Sequence, residues 1–238
     1  MVLPLYLAMN AVELKASTPP CYMAWMACHF SSSGCGISNL PDRLPEKAML
    51  ILNDRIPCQG HSANLIVSQV MDAVSRFDCE SVLLDLQRPD NPETEILAQA
   101  LVDSLPCPVA VSDCYAHDLS CPVFLSPAPL HVPLKEHLRP WKGREIWLEA
   151  ALCQETVTVT ETGSDWCPCF PPEDLCGGFF DPDLCCHYHT HILSEVITFA
   201  LFDTPESLEK KLNLAHSLGV SRAVGLYQEL GSFPDRIV

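Results

Sequence analysis

Eight apolar, strand-like runs recur along the chain, and many of them end in a polar residue: Pro4–Met9, Met23–Phe30, Met49–Asp54, Ser81–Leu86, Pro108–Asp113, Pro122–Pro127, Glu145–Leu152 and Arg222–Leu230. The clearest is Ser81-Val82-Leu83-Leu84-Asp85-Leu86-Gln87-Arg88-Pro89. An unbroken apolar run of this length reads as a parallel strand buried on both faces. Side chains alternate along a strand, so Asp85 and Gln87 point the same way.

Helical spacing separates some of these runs. Leu65, Ile66, Val70, Val74 and Phe77 predict a helix over Ser62–Phe77, with Ser62 as its N-cap. Ile96, Leu97, Ala100 and Leu101 predict another over Pro92–Leu105. A third spans Thr204–Leu218, with Thr204 as cap, Pro205 at the first helical position and Gly219 just past the end. Strand–helix–strand alternation implies right-handed crossovers and a parallel sheet, and about eight strands favour a closed (β/α)8 TIM-like barrel. The segment Cys114–Cys121 is too short for a full helix, so some outer helices are expected to be reduced.

The pattern changes between Leu152 and Phe202. Thr156–Thr162 alternates with period two, Gly163 marks a turn, and Val196–Phe202 is rich in β formers. This predicts a small antiparallel insertion, residues 153–198, within a single barrel domain spanning 1–238. Its middle, Ser164–Cys186, is dense in Pro, Gly, Asp and Cys and reads as a long loop.

Composition narrows the function classes. The 238 residues are 48% hydrophobic and carry a net charge of −16, from 30 acidic and 14 basic residues. Neutralising a nucleic-acid backbone takes clustered Lys and Arg, so this balance excludes a nucleic-acid partner and suits a neutral or cationic ligand. No apolar run approaches the ~18 residues that cross a bilayer, so no membrane partner is expected. The first seventeen residues lack a basic residue ahead of their apolar run and read as a strand rather than a signal peptide. With no export signal, the 14 cysteines read as reduced thiols of a cytoplasmic protein.

In a barrel, chemistry sits where strands end, at the C-terminal mouth. The candidates there are Asn10, Asn53, Asp54, Asp85, Gln87, Asp113, Tyr115, Glu149, Tyr227, Gln228 and Glu229. Each has a structural reading as a solvated strand end; together they describe a polar mouth. His29 is expected to be a satisfied core histidine. Cys167, Cys169, Cys176, Cys185, Cys186, His187, His189 and His191 form a second cluster. Thiolate and imidazole at such density are zinc-ligand chemistry, but the spacing matches no paired Cys-x₂-Cys knuckle. The alternative is a strand with a polar face beside reduced loop thiols, with no cofactor. No phosphate-binding loop and no nucleophile elbow occurs.

Two stretches resemble a known family. Asp85-Leu86-Gln87-Arg88-Pro89, preceded by its helix, resembles the fourth strand of the family 18 glycoside hydrolases, the chitinase-like barrels. Phe202-Asp-Thr-Pro-Glu-Ser through Glu229-Leu-Gly231 is similar to that family's last helix and eighth strand, and the insertion lies where many members carry one. The family signature is Asp-x-x-Asp-x-Asp-x-Glu. Its last Asp falls on Asp85 and its catalytic Glu on Gln87, while the middle and first Asp fall on Leu83 and Glu80. The resemblance implies a cleft for an N-acetylated glycan or cell-wall fragment. The family's Glu protonates the glycosidic oxygen, and an amide has no such proton to give. The expectation is therefore a barrel that binds glycan with little or no hydrolysis. Glu149 and Glu229 are the candidate replacement acids for an active alternative, and a purely structural or partner-binding barrel is the third reading.

Overall fold

The computed structural model describes residues 3–16, 22–34, 36–58, 60, 62–88, 91–167, 178–193 and 196–231. In chain order these form β1 (Leu5–Met9), α1 (Ala11–Ala16), β2 (Met23–Phe30), β3 (Ile37–Ser38), β4 (Met49–Asn53), α2 (Ala63–Phe77), β5 (Ser81–Asp85), α3 (Pro92–Ser104) and β6 (Val109–Ser112). Next come α4 (Asp113–Ala116), β7 (Val123–Leu125), α5 (Leu134–Leu138), a 3₁₀ turn (Arg139–Trp141) and β8 (Ile146–Ala150). Five further strands follow: β9 (Gln154–Thr160), β10 (Gly163–Cys167), β11 (Phe179–Asp181), β12 (Cys186–Leu193) and β13 (Val196–Phe202). The chain then runs through α6 (Pro205–Ser217), β14 (Val220–Leu226) and α7 (Tyr227–Leu230).

Eight parallel strands close on themselves in the order β1-β14-β8-β7-β6-β5-β4-β2, with β1 also paired to β2. The fold is a (β/α)8 TIM-like barrel, and each of the eight apolar runs supplies one of its strands. The short β3 pairs antiparallel with β2. Alternation sorts the side chains into two cores. Tyr6, Ala8, Met49, Ile51, Leu83, Ala110, Phe124, Trp147 and Val224 fill the barrel interior. A larger set, including Leu50, Leu52, Ile66, Val70, Val82, Leu84, Leu97 and Leu101, packs between strands and outer helices. Strands buried on both faces account for the continuous apolar runs.

The three helices expected from the sequence are α2, α3 and α6. Asn91 caps α3 by accepting the Glu93 N–H at 3.1 Å. Thr204 and Ser207 form a reciprocal capping box on α6, with bonds of 3.2 and 2.8 Å. Gly219 follows the helix at φ +96°, a left-handed conformation that glycine adopts at little steric cost. Ser62 occupies the N-cap of α2, but its side chain makes no capping bond. The outer layer is reduced to α4 and α5 after β6 and β7, as the short connections required. Among the described residues no helix is long and apolar enough to cross a membrane.

Two expectations need correction. The segment read as a loop over Ser164–Cys186 contains two strands, β10 and β11, which pair with β9 and β12 in a five-stranded antiparallel sheet of order β10-β9-β13-β12-β11. The run Arg222–Leu230 is not strand throughout. It stops at Leu226, and Tyr227–Leu230 turns into α7. The buried Leu230 folds back over Gly225, where a Cβ would sit 2.4 Å from the leucine methyl and 2.6 Å from the Ala150 carbonyl oxygen.

Candidate functional site

The inward positions that follow the apolar layer form the mouth. Ile51 is followed by Asn53, Leu83 by Asp85 and then Gln87, Phe124 by Ser126, and Trp147 by Glu149. Asn53 and Asp85 are register partners on adjacent strands. A cavity of about 340 Å³ opens there, floored by Ala8, Ile51, Leu83, Phe124 and Val224 and edged by Asn53, Asp85, Gln87, Ser126 and Glu149. A second groove continues outward over Asn10, Met26, Asn53, Asp54, Asp85 and Gln87.

Asp85 and Gln87 meet directly: the Gln87 side-chain amide donates to Asp85 Oδ1 at 2.6 Å. The backbone carrying Gln87 is held from beneath. The buried carboxylate of Asp54 accepts the N–H of Gln87 at 3.1 Å and of Arg88 at 2.8 Å. The Arg88 guanidinium returns the contact to the carbonyls of Asp54 and Arg55, at 2.9 and 3.0 Å. From the other side Ser112 Oγ accepts the Leu86 N–H at 2.9 Å and donates to the Leu84 carbonyl at 3.1 Å. Asn53 donates to the Met26 carbonyl at 3.0 Å. This network fixes the direction of the Asp85–Gln87 pair.

The electrostatics of the cavity are those of crowded, partly buried carboxyls. Burial pushes the Glu149 carboxyl up to about 7, with smaller upward pushes from Asp85 and Glu229. Asp85 is also raised by burial; the Gln87 hydrogen bond pulls it down and Asp54 pushes it up. Desolvation disfavours the charged form and like charge adds to it. Glu149 is thus held partly protonated near neutral pH.

The structure brings Asn53, Asp85, Gln87 and Glu149 to one cavity, with Asp54 holding the loop at its edge. Other candidates lie elsewhere. Asp113 begins α4, and its carboxylate accepts the Cys114 N–H at 2.9 Å. The buried Tyr115 donates its hydroxyl to the Arg88 carbonyl and accepts the Asn91 N–H at 3.3 Å. Tyr227 lies on α7, and Glu229 accepts the Leu152 N–H. Sequence reasoning passed over Ser126 and Ser112. Ser126 carried the same signal as Asp85, a polar residue two past a barrel-filling one. Ser112 closes a strand but works on backbone, and no pattern marks that. His29 is buried, with its ring nitrogens bonded to the Phe30 carbonyl at 2.7 Å and the Asn39 amide at 2.9 Å.

The cysteine and histidine cluster does not converge among the described residues, where no group of three or more candidate ligands could hold a metal ion. His187 and His189 stack on Phe202 at 5.6 and 5.5 Å. Cys167 pairs with Thr156, Thr156 with Ala200, and Ala200 with His189, which places Cys167 three strands from the histidines. Three strand spacings are about 14 Å, well beyond a shared zinc. Cys169 and Cys176 lie outside the described residues. Burial raises the thiols of Cys28, Cys79, Cys153 and Cys186 to about 12, so these four are neutral rather than thiolate at neutral pH.

No family model matches the sequence, and no curated protein matches it. Solved structures do match in fold. The Bacillus cereus spore cortex-lytic enzyme SleL aligns over 99% of this chain and 73% of its own, at TM-score 0.59 and 12% identity. A Cycas revoluta family 18 chitinase in complex with (GlcNAc)3 aligns over 98% of this chain and 97% of its own, at TM-score 0.61 and 9% identity. A Gly-to-Trp, Glu-to-Gln double mutant of that chitinase, solved with (GlcNAc)4, aligns over the same shares at TM-score 0.61 and 10% identity. The barrel order, the closing strand and an alignment that runs almost the whole length of both chains converge on one statement: this chain has the (β/α)8 fold of the family 18 glycoside hydrolase barrels.

Proposed function

We propose that the mouth cavity binds an N-acetylated glycan or a related cell-wall fragment and that the chain hydrolyses it little or not at all. The observation that carries this reading is the Asp85–Gln87 pair, held in the cavity by Asp54 and Ser112 with an amide where family chemistry needs an acid. An apolar floor with hydroxyl, amide and carboxyl groups on its edge suits a sugar, which offers C–H faces and a ring of hydroxyls. The fold neighbours give support, since one is solved with (GlcNAc)3 and a Glu-to-Gln variant is solved with (GlcNAc)4. Calorimetry with (GlcNAc)4 tests binding, and Gln87→Glu tests the chemistry. The expected result is binding by the unmodified chain and new hydrolysis of chitooligosaccharide by the variant. A folded chain that binds no chitooligosaccharide or peptidoglycan fragment would overturn the reading.

One observation favours a second reading. Glu149 shares the cavity with Asp85 and is held near 7, so it can carry a proton at neutral pH beside a second carboxyl, the equipment of a glycosidase acid pair. On this reading Glu149 is the general acid. The unmodified chain would then hydrolyse substrate with a rate falling above pH 7, and Glu149→Gln would remove the activity. Hydrolysis that survives Glu149→Gln rules out this second reading.

A further inference from the structure

At the opposite end of the barrel lies a second cavity of about 460 Å³. It is walled by α5, the 3₁₀ turn and the first residue of β8, and closed by Leu218 and Gly219 ahead of β14. Its apolar walls are Leu138, Trp141, Ile146 and Leu218, and Leu218 is 37% exposed. Trp141 is fixed in place by the His117 ring, stacked at 4.7 Å, and by the Arg144 guanidinium at 5.5 Å.

The rim is the reverse of the rest of the molecule. Four of the 14 basic residues fall in the ten-residue stretch 135–144: Lys135, Arg139, Lys142 and Arg144. All four line this cavity. The acid among them, Glu136, is paired to Arg139 at 2.7 Å. Glu145 is engaged elsewhere, accepting from Trp147 Nε1 at 3.0 Å and Ser221 Oγ at 2.9 Å. Arg144 donates to the carbonyls of Ala116, Leu119 and Cys121 at 2.6, 2.6 and 2.7 Å. Among the described residues the ammonium groups of Lys135 and Lys142 have no carboxylate within salt-bridge reach. On a chain of net charge −16, such a rim concentrates anions where the rest of the surface repels them.

We propose that this cavity binds a small organic anion with an apolar body, its hydrocarbon or aromatic part against Trp141 and Leu218 and its acid group between Lys135 and Lys142. Size selects a small molecule over a protein partner. The volume lies in the range of ligand pockets, ~300–1,000 Å³, whereas a stable protein interface covers ~800 Å² on each side. The acid group can be carboxylate, sulfonate or phosphate, since all three offer oxygens to two ammonium groups.

The test uses the whole chain with decanoate and naphthalene-2-sulfonate as anionic probes, decan-1-ol and decyltrimethylammonium as neutral and cationic counterparts, and titration calorimetry as readout. Both lysines are exposed, so a Lys135→Glu, Lys142→Glu double variant should fold; circular dichroism checks it. The expected result is binding of at least one anion, at least tenfold weaker in the double variant and at least tenfold weaker for both counterparts, with affinity falling as salt rises. Three outcomes overturn the proposal: neither anion binds, the alcohol binds as tightly as the acid, or charge reversal leaves anion binding unchanged.

Discussion

At the scale of single residues, the mouth is a set of carboxyls whose protonation the barrel controls. A carboxyl raised in the folded state favours folding in its protonated form. Its contribution is fully present below the unfolded value and is lost as pH rises through the folded one. For Glu149 that window runs from 4.5 to about 7, and Asp85 is displaced in the same direction. At ~1.4 kcal/mol per pH unit the full effect is at most ~3 kcal/mol. Glu149→Gln is therefore expected to stabilise the chain by about 1–3 kcal/mol at pH 8 and hardly at all at pH 4, read by urea unfolding at both pH values. A stability difference between variant and unmodified chain that is the same at both pH values would show that Glu149 is not displaced. Gln87 acts on its neighbour in the opposite sense, because its amide donates to ionised Asp85. Gln87→Leu should raise the Asp85 pKa, visible in a carbon-detected NMR titration; an unmoved Asp85 would mean that the hydrogen bond has no hold on its charge.

At the scale of elements, the junction between the insertion and α6 carries the sharpest energetic stake. Asp203 is buried directly before the helix, and both its oxygens take Lys211 Nζ at 2.8 Å while Oδ1 also accepts from Ser207 Oγ at 3.1 Å. Its Oδ2 accepts the Cys153 N–H at 3.3 Å and its own N–H donates to the Cys153 carbonyl at 2.9 Å, so one residue ties the entry of the insertion to its exit. Removing one partner of a buried pair leaves an uncompensated charge, which costs ~3–5 kcal/mol, whereas replacing both is often close to neutral. Lys211→Met is expected to fall in that range and Asp203→Asn with Lys211→Met to recover most of it, measured by chemical denaturation. Equal losses in single and double variants would assign the cost to packing. The Thr204 capping box should contribute less, with Thr204→Ala costing ~1 kcal/mol. This cap was legible from Thr204-Pro205-Glu206-Ser207 because capping is local. The Asp203–Lys211 pair was not, because a charged residue in a polar helix gives no sign of burial.

At the scale of the whole molecule, the barrel is polar at both ends and apolar between. The lower end is filled by Arg222, which donates to Ser81 Oγ at 2.9 Å and Glu80 at 3.2 Å and lies 4.7 Å above the Trp147 ring. The insertion is a separate layer. It docks on the loop after β7 through Leu130, Cys186 and Leu201 and through the 2.8 Å pair of His131 with buried Glu155. Because this cluster is separate from the two cores of the barrel, the two layers should lose stability separately. Leu201→Ala, an expected loss of ~2–5 kcal/mol, should speed hydrogen exchange in β9, β12 and β13 while β4 and β5 keep their protection. Faster exchange in β4 and β5 as well would mean that sheet and barrel unfold as one unit.

By itself the sequence determined the eight barrel strands, the three long helices, the barrel and the place of the insertion, because period, caps and continuous apolar runs are properties of neighbouring residues. It also picked out Asp85 and Gln87 as candidates, since two polar groups two positions apart at the end of an apolar run share one face. What only the tertiary structure decided is which strand ends converge. Closure brought Glu149 of β8 into the cavity of Asp85 and Gln87. The early end of β6 and β14 turned Asp113, Tyr115, Tyr227 and Glu229 onto short helices, where backbone groups take up the polar atoms of Asp113, Tyr115 and Glu229. The basic pocket at the other end arose the same way: Leu218 and Lys142 are 76 positions apart, and the pairing of β14 with β8 makes them neighbours.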